Sequence, residues 1–185
     1  MRVALRPMTR ADLPLLGVWL GEPLVATWWH EDPDPEAVER RYGAAIDSRE
    51  PTALRIGSLD GVPVGFVQWY RFADEPGYAA ELAPFLPIAA DAWSLDYLVG
   101  SPAHRGRGVG SALVRAALAA IGPEPVVVPV HAENTASAGV LRANGFRVAT
   151  EADLEPDNPA FTRRHIVLVR GTPEAFLPSS TTSAR

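Results

Sequence analysis

One stretch of this chain restricts its fold more than any other. A strand-like run, Trp93–Val99, passes through a turn holding Gly100, Gly106 and Gly108 straight into a helix-like run ending near Ile121. Val109, Leu113, Ala117 and Ile121 fall at i,i+4 spacing, so that run has one apolar stripe and needs a sheet to cover. Gly122-Pro123 ends it. The glycines let backbone approach a ligand and adopt positive φ. The first turn of the helix offers unpaired N–H groups and the positive end of its dipole, a seat for a pyrophosphate. Arg105 and Arg107 add positive charge there.

A glycine-rich strand–turn–helix serves several nucleotide folds, and two are disfavoured. The Gly-Lys-Ser/Thr of a P-loop is absent. A dinucleotide fingerprint opens a βαβ unit and is followed by an acid about 20 residues on. Here the motif follows a β-meander, and the nearest acid downstream is Glu124.

The rest of the chain reads as alternating helices and strands. Val3–Arg6 is a strand, followed by a helix capped at Thr9 with Asp12 in a capping-box role and Leu13, Leu16 and Leu20 on one face. Gly21 and Pro23 stop that helix. A second helix runs from Pro35 to about Ser48. Asp60-Gly61 joins two strands, 53–59 and 62–72, as a hairpin, and Gly65 marks a bulge or a close backbone approach. Residues 73–91 read as a long loop. Strand 126–130 comes next, despite Pro129, then a helix from Asn134 to Asn144-Gly145 and two strands, 146–150 and 163–170. The order predicts a mixed α/β sheet with helices on its faces, in a single domain over residues 1–170. Residues 171–185 read as a flexible C-terminal tail.

Composition narrows the function. With 47% hydrophobic residues the chain can bury a core. No cysteine is present, so disulfides, thiolate metal sites and a cysteine nucleophile are out. His30, His104, His131 and His165 lack metal-ligand spacing, so no metal is expected. A net charge of −5 argues against nucleic acid and suits a cationic substrate. No signal peptide or membrane span is readable, and the expectation is a soluble cytoplasmic protein, monomer or homodimer.

The turn Arg105-Gly106-Arg107-Gly108-Val109-Gly110 resembles the acyl-CoA pyrophosphate loop of the GNAT acetyltransferases, Q/R-x-x-G-x-G/A. Asn134-Thr135-Ala136-Ser137, followed by Asn144-Gly145-Phe146, resembles that family's Asn-led helix ending in Gly-Phe. The likeness covers residues 2–170 and is strongest over 92–146. It implies a GNAT fold: a twisted, mostly antiparallel sheet flanked by helices and splayed at the acyl-CoA site. It implies acetyl-CoA as cosubstrate. The backbone at Leu98 and Val99 would pair with the pantetheine arm. Arg105, Gly106, Arg107, Gly108, Val109, Gly110 and Ser111 would cradle the pyrophosphate. Asn134 would contact the cofactor, or act only as the helix N-cap.

The N-terminal half, with Trp28-Trp29, Arg41-Tyr42, Glu50, the run 61–70 and Ser94-Leu95-Asp96, resembles the aminoglycoside 6′-N-acetyltransferases. By that resemblance Trp29, Tyr42 and Glu50 touch an aminosugar, and Asp96 holds the reacting amine and acts as base. Chemistry supports a carboxylate there. An ammonium must lose its proton before it can attack, and aspartate is unusual inside a strand. At its ordinary pKa of about 3.9 it is a weak base, so a raised pKa or a water relay is expected. Asp74, Glu75, Glu81 and Asp91 could form a cationic funnel.

Two departures from the family stand out. The place of its general-acid tyrosine, seven residues after the helix-leading Asn, is Leu141. The aminoglycoside enzymes carry an acid on the strand before that Asn, whereas only a displaced Glu133 lies here. The alternatives are a GNAT enzyme for another amine (a siderophore lysine, a protein N-terminus, a small metabolite) or a non-catalytic acyl-CoA sensor.

Overall fold

A computed structural model describes residues 1–89, 91–172 and 176; the remainder of the expected tail lies outside the described residues. Seven strands form one sheet: β1 (Ala4–Pro7), β2 (Ala53–Leu59), β3 (Val62–Arg71), β4 (Trp93–Val99), β5 (Val126–His131), β6 (Arg147–Asp153) and β7 (Arg164–Arg170). Their order is β1-β2-β3-β4-β5-β7-β6. Every neighbouring pair is antiparallel except β4 and β5, which run parallel.

That parallel pair is the feature on which the site depends. β4 and β5 are in register only at Trp93↔Val126, and beyond it they diverge. The sheet therefore has an opening in its middle, as the GNAT likeness implies. Pro129 falls in the part of β5 that has no β4 partner, a setting in which a strand tolerates proline.

Helices α1 (Leu13–Leu20), α2 (Pro23–Trp29) and α3 (Pro35–Ile46) cover one face through Leu16, Leu20, Val38 and Tyr42, packed on Leu54, Ile56, Phe66 and Leu98. Helices α5 (Val109–Ile121) and α6 (Thr135–Ala143) cover the other, where Val114, Ala117, Ile121 and Leu141 meet Val67, Leu95, Val128 and Leu168. Val109 and Leu113 add a smaller cluster with Val3 and Val64, so all four stripe residues of α5 are buried. A further cluster on the α1–α3 side joins Phe72, Leu82, Val127, Ala152 and Val167 beneath α4 (Pro76–Leu82).

Two helices, α2 and α4, are not legible in the sequence. Both are seven residues long, too short for a periodic stripe, and both begin with a proline. In a first turn proline starts a helix rather than breaking it. The long loop 73–91 accordingly holds a 3-10 turn, Phe72–Asp74, and then α4, anchored by fully buried Leu82. Other elements differ from expectation by a few residues at their ends.

Glycines set the tight approaches. Asp60 and Gly61 both have positive φ, as a two-residue hairpin turn requires. A Cβ on Gly65 would sit 2.4 Å from the Leu98 carbonyl oxygen, which identifies the close approach at that position. On Gly100 a Cβ would strike the Trp19 ring at 2.2 Å, so α1 lies directly over the turn that leaves β4.

Candidate active site

A cavity of about 610 Å³ opens on the α1–α3 side of the sheet. Its walls come from α2, α3, α4, the loop 154–161 and strands β3, β4, β5 and β7. Strand alternation shows that it also passes through the sheet. Pro129 and His131 line it from one face, while Leu95, Tyr97, Val128 and Val130 line it from the other.

Asp96 lies at its floor. Across the β3–β4 pair it faces Gln68, whose Nε2 donates to the carboxylate at 3.0 Å. Asp96 touches the cavity but is enclosed by protein on its other sides. Burial raises its pKa to about 6, the Gln68 bond opposes the rise, and nearby Asp157 and Glu31 add to it. Burial likewise raises Asp157, whose neighbours include Glu31 and His165. Thus three carboxylates from three segments converge, and Arg41 is the nearby cation. Arg41 also pairs with Glu31 at 3.3 Å.

The expected substrate contacts divide. Trp29, Glu50, Asp96 and Asn134 line the cavity. Tyr42 does not reach it: the ring is 1% exposed, packed edge-on against Phe66. Its hydroxyl donates to Glu31 at 2.5 Å and accepts from Trp29 Nε1 at 3.2 Å. Tyr42 thus holds two lining residues in place from behind. Of the four acids in the expected funnel, Glu75 and Glu81 line the cavity and Asp74 and Asp91 do not.

The turn expected to take the pyrophosphate lies at the end of β4, outside the cavity lining. Gly106 and Gly108 have φ of +68° and +82°, and a Cβ on either would meet nothing within 4 Å. Gly108 is the N-cap of α5 and brings no side chain to its first-turn N–H groups. An uncapped thirteen-residue helix beneath an open glycine shelf fits an anion bound by main-chain amides. The Arg105 side chain turns inward instead. Its guanidinium donates to the Val99 and Gly100 carbonyls at 3.2 and 2.9 Å and lies 3.5 Å from Glu22. Arg107 is exposed and donates to the Ala103 carbonyl at 3.3 Å. Leu98 is buried in the α1–α3 core, so only its backbone could meet a ligand.

Asn134 is the N-cap of α6, accepting from the Ser137 amide at 3.1 Å through its side-chain oxygen. The same residue lines the cavity, so the cap leaves a ligand contact open. Leu141 is fully buried and carries no donor.

Further residues complete the lining, two from the run 61–70 and others that the sequence did not flag. Gln68 and Tyr70 stand two apart on β3, the spacing that puts them on one face with Asp96 and Ser94 opposite. Glu31, Asp157 and Phe161 come from loops, where no periodicity could flag them. Phe161 stacks on Trp28 with centroids 4.8 Å apart, and Asn158 donates to the Thr27 carbonyl at 3.1 Å, tying loop 154–161 to α2 across the cavity. His30, His131 and His165 line it as well.

Comparison with known proteins follows the same lines. Residues 8–154 match the family described as an acetyltransferase (GNAT) domain. The aminoglycoside N(6')-acetyltransferase type 1 of Klebsiella pneumoniae is 26% identical over 178 residues, 85% of this chain and 80% of its own length. A mycothiol acetyltransferase of Clavibacter sepedonicus is 34% identical over 131 residues, 66% of this chain and 41% of that protein. Among solved structures, the aminoglycoside acetyltransferase AAC(6')-Ib in complex with coenzyme A and kanamycin shares the fold. Its TM-score is 0.75 at 23% identity, covering 94% of this chain and 96% of that one.

Proposed function

The chain belongs to the GNAT acetyltransferase family, and on that premise we propose that it transfers the acetyl group of acetyl-CoA to the 6′-amine of an aminoglycoside. The acidity of the cavity carries the substrate reading. Glu31, Glu50, Glu75, Glu81, Asp96, Glu155 and Asp157 all line it, against the single guanidinium of Arg41 among the described residues. Such a cavity concentrates polycations. Its volume suits a small oligosaccharide more than a macromolecular chain. The Klebsiella relative bears that activity in its name.

The residues divide the work as follows. Main-chain amides from 106 to 111 hold the diphosphate, with Gly106 and Gly108 providing the approach. Arg105 fixes the turn against the end of β4. Trp29 and Glu50 position the aminosugar. Asp96 holds the substrate ammonium and takes its proton, and the freed amine attacks the thioester carbonyl. A carboxylate titrating near 6 remains ionised at neutral pH and is a better base than an ordinary aspartate.

Thiol release from acetyl-CoA, followed over a panel of aminoglycosides, linear polyamines, lysine derivatives and peptides, tests this reading. Release is expected with kanamycin-like sugars, and mass and NMR analysis should find acetyl on the 6′-nitrogen. Turnover confined to polyamines or peptides would replace the aminoglycoside assignment. Tight acetyl-CoA binding with no release from any amine would mark a sensor.

A further inference from the structure

Two hydroxyls in the cavity have no part in the scheme so far. Tyr97 donates to Ser137 Oγ at 3.1 Å, with the Ser137 carbonyl at 3.5 Å. Both residues line the cavity. Ser137 stands in the first turn of α6, and its amide is held by the Asn134 cap. Among the described residues Ser137 Oγ has Tyr97 as its one hydrogen-bond partner. It accepts from Tyr97, so its own proton is free to point into the cavity.

Asp96 and Tyr97 are adjacent on β4, so their side chains leave opposite faces of the sheet. Asp96 lies on the α1–α3 side with Gln68. Tyr97 lies on the α5–α6 side, packed against the Leu95 and Val140 cluster. A continuous sheet would keep them apart, but the parting of β4 and β5 joins the two sides in one cavity. A thioester in that opening has a carboxylate on one side and a hydroxyl pair on the other.

We propose that the Ser137 hydroxyl, positioned by Tyr97, is the hydrogen-bond donor to the sulfur that departs from the acetyl thioester. The proposal rests on the reading of this protein as an acetyl-CoA-dependent enzyme. The amine approaches from the Asp96 side and forms the new C–N bond. The C–S bond breaks, and its electron pair stays on sulfur. The first ammonium proton goes to Asp96, which passes it to solvent, and the second, shed by nitrogen as the amide forms, leaves by the same carboxylate. Sulfur leaves as the thiolate, held by the Ser137 O–H, and takes its proton from water on release. No proton comes from Tyr97, because burial holds that hydroxyl at a pKa of about 12, above a thiol's. A preorganised donor aimed at developing charge stabilises the step without reorganisation. Leu141, one turn further along α6, is buried and offers no donor, whereas Ser137 on the same helix lines the cavity.

The test binds free coenzyme A to the intact protein and titrates its thiol by the ultraviolet absorbance of the thiolate. The bound thiol should titrate below the value of free coenzyme A, measured alongside, in the wild type. In Ser137→Ala it should return to the solution value, with coenzyme A affinity at low pH unchanged. Ser137→Thr should restore the lowered value, and Tyr97→Phe should lie between. In turnover, Ser137→Ala should lower kcat roughly tenfold or more with little change in the KM for acetyl-CoA. A thiol that titrates identically in wild type and Ser137→Ala, or that is not lowered in the wild type, overturns the proposal. Absence of coenzyme A binding in the wild type instead overturns the acetyl-CoA reading on which it rests.

Discussion

Gln68 and Asp96 face one another across β3 and β4, and the Gln68 amide is bonded to the carboxylate at 3.0 Å. Gln68 is itself buried, so this bond fixes the carboxylate's direction as well as its charge. A half-buried carboxylate with one amide donor is held between two opposing effects. Burial favours the neutral acid, and the donor favours the anion. Burial wins, which places the group near 6.

Activity should follow the ionised fraction of Asp96. As pH falls through about 6, kcat/KM should drop, approaching tenfold per pH unit below it, and level off above. Asp96→Asn removes the base, and turnover at pH 7 should fall at least tenfold with acetyl-CoA affinity little changed. The folded-state pKa lies above the unfolded one, so the ionised Asp96 destabilises the fold at neutral pH and this penalty disappears as pH falls below 6. Asp96→Asn should therefore melt no lower than the wild type at pH 8. A variant that turns over normally removes Asp96 from the base role.

Gln68→Leu tests the donor alone. It keeps the volume and deletes the bond that favours the anion, so the acidic limb of the pH profile should move to higher pH. Activity at pH 7 should fall while activity at pH 8.5 largely recovers. A limb that stays in place would mean that Gln68 only packs.

The glycine turn proposed to hold the diphosphate makes a separate prediction. Arg105 braces the carbonyls of Val99 and Gly100, so Arg105→Ala should weaken coenzyme A binding by loosening the turn. Glu22→Gln removes the charge 3.5 Å from Arg105 and should give a smaller loss in the same direction. At Gly108 a Cβ has room, but φ of +82° makes any other residue strained, so Gly108→Val should weaken binding more than Gly106→Asn, since asparagine tolerates that region. Calorimetry with coenzyme A measures all of these. Unchanged affinity in Arg105→Ala would remove that side chain from the site.

The sheet and the turn were legible because each rests on short-range chemistry. The apolar stripe of α5, the Asp60-Gly61 hairpin and the glycine turn all carry their signal within a dozen residues. Asp96 was legible because a charge inside a strand needs a reason. Tyr42 was placed a layer too far forward: a hydroxyl reads the same whether it meets a ligand or a neighbouring carboxylate, and only packing puts it behind Trp29 and Glu31. Asp157 and Phe161 come to the cavity by the fold of a loop, through Asn158 and the Trp28 stack, and nothing local in the sequence encodes that contact. Pro23 reads as a break, and the segment around Pro76 as loop, because a stop and a first turn share the same residue.

Asp12 gives the last prediction, on stability. It is 7% exposed and accepts from Arg6 at 2.6 and 2.7 Å, from the Thr9 amide at 2.9 Å and from the Thr9 hydroxyl at 3.0 Å. These bonds, Arg6 foremost, lower its pKa to about 2. A depressed folded-state pKa stabilises the protein fully above the unfolded value of about 3.9, and that contribution is lost as pH falls through 2. The shift corresponds to on the order of 2 kcal/mol, and half-exposed Arg6 makes this an upper figure. Asp12→Asn should thus lower denaturant stability at pH 7 by about 1–2 kcal/mol and make little difference near pH 2. An equal loss at both values would show that the oxygen's shape, not its charge, holds the start of α1. Because α1 carries Trp19 onto Gly100, a loosened start should also weaken coenzyme A binding in the same variant.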